Sequence, residues 1–201
     1  MILFFDTETT GLPEFVRPLD DERQPHLVQL ACLLTDDDGT ERASINLIVA
    51  PGVPIPEGAA RVHGITDLIA DRCGVPSSTA LAMWNKLAER SDLIVAHNIK
   101  FDLALMRIAW LRHFGTDGPA FERRHGDRPQ FCTMEAALPI VNLPPTARMI
   151  AAGFNKPKSP KLEEVIHHFF DENLDGAHDA LVDVRACARI YFHMKSMEKA
   201  A

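Results

Sequence analysis

The chain has 201 residues, enough to build one hydrophobic core. Hydrophobic residues make up 46% and charged residues 24%, which is globular composition and excludes a disordered chain. A formal net charge of −7 excludes a protein that holds nucleic acid by a broad basic surface. It does not exclude one that gathers carboxylates around cations and meets phosphate through them.

The first apolar run, residues 2–7 (ILFFDT), predicts a buried strand. No basic residue precedes it and Asp6 cuts it short, so it does not read as a secretory signal. Residues 27–35 predict a second strand, Asp36-Asp37-Asp38-Gly39 a hairpin turn, and 42–49 a third strand with Ala43, Ile45, Leu47 and Val49 alternating against polar neighbours. Residues 51–58, rich in Pro and Gly, read as a loop. Ser77 or Ser78 caps a predicted helix over about 79–90, with Leu81, Trp84, Leu87 and Ala88 on one face. Residues 93–96 (LIVA) read as a short buried strand and about 100–114 as a helix. Residues 115–130 read as a loop, 133–141 as a short helix and 142–160, with four prolines, as an irregular connection. Helices follow over about 161–170 and 179–196. Strands first, then helix and strand alternating, predict an α/β sandwich around a mixed sheet, and nothing in the sequence separates two domains over 1–201. No run approaches the ~18 apolar residues of a membrane-crossing helix. Cys32, Cys73, Cys132 and Cys187 never form C-x-x-C, which argues against a zinc ribbon or a disulfide framework and suits reduced thiols in a cytoplasm.

Three short segments carry chemistry. The first is Asp6-Thr-Glu8-Thr9-Thr-Gly11-Leu12, leaving the first strand. Residues i and i+2 of a strand face the same way, so Asp6 and Glu8 project together and repel each other unless a cation sits between them. Mg²⁺ prefers such oxygens and keeps positions open for phosphate. The second is His97-Asn98-Ile-Lys-Phe101-Asp102, which opens the helix after the LIVA strand; a carboxylate there also suits the helix dipole. The third is Gly176-Ala-His178-Asp179-Ala-Leu-Val-Asp183 at the start of the last helix. A histidine at a loop edge suits proton acceptance. Asp179 competes with Asp183 for a ligand role, although a helix cap accounts for it well. His167 and His168 read as helix-surface residues and Trp84 and Trp110 as core.

Taken in order, D-x-E, a strand-to-helix Asp and H-x-x-x-x-D resemble the DEDDh (DnaQ-like) 3′–5′ exonuclease family of the ribonuclease-H-like superfamily. The resemblance runs from residue 2 to about 192, and Arg61-Val-His63-Gly-Ile-Thr66 is also similar to a segment of that family. It implies an α/β fold with a mixed five-stranded sheet flanked by helices. It implies two Mg²⁺ or Mn²⁺ ions held by Asp6, Glu8, Asp102 and Asp183, with His178 as general base. It implies a terminal-nucleotide pocket from Thr9, Gly11, Leu12, His63, Asn98 and Phe101, although Phe101 as core and His63 as a buried hydrogen-bonded residue are competing readings. The expected partner is the 3′ end of DNA, preferably single-stranded, with RNA as the alternative and a non-catalytic nucleic-acid-binding module as a third reading. A homodimer stays open, no membrane partner is expected, and no tail for tethering to a polymerase or clamp is visible. Residues 148–161 carry Arg148, Lys156, Lys158 and Lys161 and no acid, a local positive feature suited to phosphate or simply to solvent.

Overall fold

The structure, a computed structural model, describes residues 1–115, 121, 125 and 127–200. Its strands are β1 (Ile2–Thr9), β2 (Leu27–Thr35), β3 (Glu41–Ala50), β4 (Val75–Pro76), β5 (Leu93–Ala96) and β6 (Gln130–Cys132). Its helices are α1 (Glu57–His63), α2 (Asp67–Cys73), α3 (Ser77–Ala88), α4 (Ile99–Phe114), α5 (Thr133–Val141), α6 (Ala147–Ala151), α7 (Leu162–Phe170) and α8 (Ala180–Ala200).

The sheet order is β4-β3-β2-β1-β5-β6, with β1, β2 and β3 antiparallel and β1, β5 and β6 parallel. It is mixed and flanked by helices as expected, but it has six strands rather than five. β4 and β6 are two and three residues long, too short to show a period. α1 and α2 were also illegible. Each is seven residues, α1 between Pro56 and a left-handed Gly64 and α2 capped by the Thr66 hydroxyl. α3 begins at Ser77 behind Pro76, without the serine cap expected of it. The expected loop over 115–130 falls mostly outside the described residues, and its last residue, Gln130, belongs to β6.

Strand alternation divides the core. Leu3 and Phe5 of β1 pack with Trp84 and the apolar face of α4, while Ile2 and Phe4 pack with Val184, Cys187 and Tyr191 of α8. β2 is buried along its whole length because it lies between two strands and under helices on both faces. Each large side chain buried this way contributes roughly 1.5–3 kcal/mol, and Trp84, Phe4 and Phe5 are fully covered. Gly74 ends α2 where no other residue fits: an added Cβ would lie 2.3 Å from Ala70 O and 2.6 Å from Ala50 N. All four cysteines are free, and among the described residues no helix is long and apolar enough to cross a membrane.

Candidate active site

Three elements meet at one edge of the sheet. Phe4 packs on Tyr191 of α8, with ring centroids 5.5 Å apart, so Asp6 and Glu8, two and four residues on, emerge on the α8 side. Thr7 turns the other way, toward α4. β5 runs parallel to β1 and stops at Ala96, so the turn at 97–98 delivers the N-terminus of α4 to the same edge. Asn98 makes that turn in the left-handed region, φ +73°. Asp102, in the first turn of α4, is buried; its Oδ1 accepts from the Thr7 N–H at 3.1 Å and from the Thr7 hydroxyl at 2.8 Å.

The start of α8 is anchored from the sheet. Ala180 N–H donates to Gln29 Oε1 at 3.3 Å, and the Gln29 amide donates to Asn46 Oδ1 at 2.8 Å. Asp179 Oδ1 accepts from Leu181 N–H at 2.9 Å and stays exposed, a helix-cap geometry. Asp183, one turn inside, is buried: its Oδ2 accepts from His178 N–H at 3.0 Å, and its Oδ1 accepts no hydrogen bond. To reach it, His178 adopts φ +69°, a conformation that costs a non-glycine residue about 1–3 kcal/mol and clusters at functional sites. Ligand atoms of Glu8, His178 and Asp183 all lie within 4.8 Å of one another.

Crowding shows in the acidities. Burial, then the charges of Asp102, Asp183 and Glu8, hold the Asp6 carboxyl well above the usual range. Burial and the neighbouring Asp183 and Asp102 push Glu8 up to about 8. Burial pushes Asp102 up to about 7 against the two Thr7 hydrogen bonds, and Asp183 up to about 6 against the His178 N–H. Four mutually repelling carboxylates, one with a buried oxygen that accepts nothing, make a donor set suited to hard divalent cations.

Beside this cluster lies a cleft of about 510 Å³, whose walls include Leu12, Asn98, Lys161, Leu162, His178 and Asp183. Leu12 is 78% exposed and stands free to meet a ligand. Thr9 and Gly11 shape the turn that presents it, the Thr9 hydroxyl donating to Gly11 O at 2.6 Å. His63 ends α1; its Nδ1 accepts from Ile65 N–H at 3.1 Å, and its ring lies near the Thr9 backbone and His178. Phe101 is half-buried and packs on the α3–α4 core, away from the cleft walls.

The far wall is formed by Met134 and Ser159–Glu163, so the end of the positive 148–161 segment does reach the cleft, whereas the sequence offered no signal for Met134. His97 ties that wall down. Its Nε2 donates to Pro160 O at 3.1 Å, and its Nδ1 lies 2.9 Å from the Thr133 hydroxyl. Pro160 offers only a carbonyl, so that contact fixes the tautomer and leaves Nδ1 to accept from Thr133. Burial pushes the His97 ring down to about 4, so it is neutral at ordinary pH. Of the local cations, Lys161 pairs with Glu163 at 3.2 Å and Lys158 with Glu164, whereas Arg148 and Lys156 are exposed.

The sequence pattern of the exonuclease family, RNase T type, matches residues 3–191. The chain belongs to this exonuclease family. With its DEDDh segments and its mixed sheet, the chain falls in the ribonuclease-H-like superfamily. A curated relative, the DNA polymerase III subunit epsilon-like protein of Rhodobacter capsulatus, is 35% identical over 108 residues, 51% of this chain and 14% of that protein. The structure of E. coli exonuclease I in complex with a dT13 oligonucleotide is 22% identical with a TM-score of 0.74, covering 97% of this chain and 41% of that one. The zinc-ion-bound complex of E. coli exonuclease I with single-stranded DNA is 21% identical with a TM-score of 0.72, covering 98% and 41%. At this identity the likeness is one of fold. The chain spans about two-fifths of the length of those structures.

Proposed function

We propose that the chain, read as one exonuclease domain, removes nucleoside 5′-monophosphates from the 3′ end of DNA, preferably single-stranded, with the aid of two divalent cations, Mg²⁺ or Mn²⁺. The observation that carries this reading is the convergence of Asp6, Glu8, Asp102 and Asp183 beside an exposed His178, with Glu8, His178 and Asp183 ligand atoms within 4.8 Å. The exonuclease I complexes with single-stranded DNA and with zinc support both the substrate class and a cationic site.

Bound to the four carboxylates, such cations would supply positive charge to the scissile phosphate and acidity to a water. The protein's own residues then have separate tasks. Thr7 holds one oxygen of Asp102, and the His178 backbone holds one oxygen of Asp183, which orients both carboxylates and keeps their second oxygens out of these bonds. The His178 imidazole accepts the proton of the attacking water at a ring nitrogen. Its place on a loop edge lets the proton pass on to solvent. Leu12 presses against the terminal base, and Asn98 faces the same cleft. An acidic chain can hold a polyanion here because its site charges are offset by the cations and not by a basic surface.

The test is hydrolysis of 5′-labelled single-stranded DNA and RNA of one sequence, with Mg²⁺, Mn²⁺ or EDTA. The expected result is a cation-dependent ladder shortening from the 3′ end, faster on DNA. Early release of the labelled mononucleotide would reverse the polarity, and a preference for RNA would reverse the substrate.

A further inference from the structure

A cavity of about 220 Å³ shares no wall with the cleft and has less than half its volume of about 510 Å³. Four segments build it: His26 before β2, Pro51 after β3, Ser77 at the start of α3, and Arg112 and His113 in the last turn of α4. The chain carries a net charge of −7, yet among the described residues these walls hold an arginine and two histidines and no carboxylate. Arg112 supplies the charge. Its guanidinium donates to the carbonyls of Glu22, Gln24 and Pro25, and these three bonds leave two of its five N–H groups over. Among the described residues no carboxylate pairs with it, and burial lowers its acidity constant below the usual arginine value.

His26 is mounted on fixed backbone: its O accepts from Thr10 N–H at 3.0 Å, and its N–H donates to the Thr10 hydroxyl at 2.9 Å. Its Nδ1 lies 3.0 Å from Pro51 O. A carbonyl only accepts, so Nδ1 carries the proton and Nε2 is left as an acceptor. Burial, then the nearby Arg112 charge, holds the ring below the usual histidine range, so it is neutral at pH 7. The Ser77 hydroxyl adds a donor, and the start of α3, which has no side-chain cap, adds to the positive potential. With water taking about 30 Å³ per molecule, the volume suits one tetrahedral oxyanion and a few waters. The cations favour an anion, and the neutral Nε2 favours one that brings its own proton. A phosphate monoester, with a second pKa of about 6, does so; sulfate and a phosphate diester do not.

We infer that this cavity is a second, non-catalytic site that binds a phosphate group, either inorganic phosphate or the phosphate of a monoester. Arg112, His113 and Ser77 donate to its oxygens, and His26 Nε2 accepts its hydroxyl. The inference does not depend on the nuclease reading, because its test reads binding without turnover. The full chain, in EDTA near neutral pH and at constant ionic strength, is titrated with inorganic phosphate, thymidine 5′-monophosphate, dimethyl phosphate and sulfate. The His26 ring signals are followed by NMR, with the melting temperature beside them.

Phosphate should shift the His26 signals saturably. Sulfate and dimethyl phosphate should bind roughly tenfold more weakly, the weight of one charge-assisted hydrogen bond. Arg112 also braces the loop before β2, so the exposed His113 carries the test. His113→Glu adds a carboxylate to the walls and should abolish the shift while the melting temperature without phosphate changes little. His26→Asn keeps a donor for Pro51 O but loses Nε2; its phosphate-induced rise in melting temperature should fall to the level that sulfate gives. Tighter binding of thymidine 5′-monophosphate, lost in His113→Glu, assigns the monoester as the occupant, and tighter binding of inorganic phosphate assigns the free ion. No saturable shift in the unaltered protein, a shift that survives His113→Glu, or sulfate binding as tightly as phosphate would overturn the site.

Discussion

Thr7 directs both of its polar hydrogens at one oxygen of Asp102, the N–H at 3.1 Å and the hydroxyl at 2.8 Å. The pair joins the central strand to the first turn of α4 and engages only Oδ1 of Asp102. Even so held, Asp102 sits at about 7 because burial outweighs the two bonds. Thr7→Val keeps the shape and the N–H bond but removes the hydroxyl. We expect Mn²⁺ affinity and kcat/KM each to fall about 10–100-fold, the usual effect of losing a partner behind a ligand, with the fold intact by circular dichroism. Isothermal titration with Mn²⁺ and steady-state kinetics check this.

The raised carboxylates give the cation-free protein an unusual pH dependence. Glu8 at about 8, Asp102 at about 7 and Asp183 at about 6 all lie above their unfolded values near 4. The folded state therefore binds more protons than the unfolded state over that window, and stability falls as pH rises from about 4 to about 8. His97, at about 4 when folded and about 6.5 unfolded, acts oppositely and loses stability as pH falls below about 6.5. The carboxylate effect thus stands clearest between pH 6.5 and 8. In EDTA, the melting temperature should drop across that interval, and Asp183→Asn should shrink the drop. Saturating Mn²⁺ should remove it.

His178→Ala should cost roughly 10²–10⁴-fold in kcat, the range for loss of a general base. Its backbone N–H to Asp183 survives the change. The Mn²⁺-induced rise in melting temperature should therefore remain close to wild type, separating proton transfer from cation binding. Differential scanning fluorimetry and single-turnover rates read the two effects.

His97 is a positioning residue for the far wall of the cleft through Pro160 O. Gln places a donor near the lost Nε2, whereas Asn replaces only the Nδ1 side. His97→Gln should keep the oligonucleotide KM within about threefold of wild type. His97→Asn should raise it several-fold with little change in kcat, because a displaced wall weakens ground-state and transition-state binding alike, and such a loss appears in KM. Equal KM values for the two variants would reduce His97 to a packing role.

Local rules made much of this legible. Alternation along β1 put Asp6 and Glu8 on one side, and the LIVA strand followed by a helical period located Asp102. What stayed hidden depends on partners far away in sequence. His97 and Pro160 are 63 residues apart, and nothing in either segment signals the contact. Gln29 reads as one polar residue in an apolar strand until Ala180 arrives above it. The lysines of 148–161 read as free cations; the first turn of α7 brings Glu163 and Glu164 back onto Lys161 and Lys158. The added strands and α1 and α2 were too short for periodicity to register.

The central claim is that the carboxylate cluster is a cation site that runs phosphodiester hydrolysis. Asp183 carries the unbonded buried oxygen at its centre. Turnover of 5′-labelled single-stranded DNA by Asp183→Asn in Mn²⁺, beside the unaltered protein, tests it most directly. The account predicts a folded variant whose rate falls at least about 10³-fold, as expected when charge stabilisation of the transition state is removed. A variant that keeps near-normal turnover would contradict it.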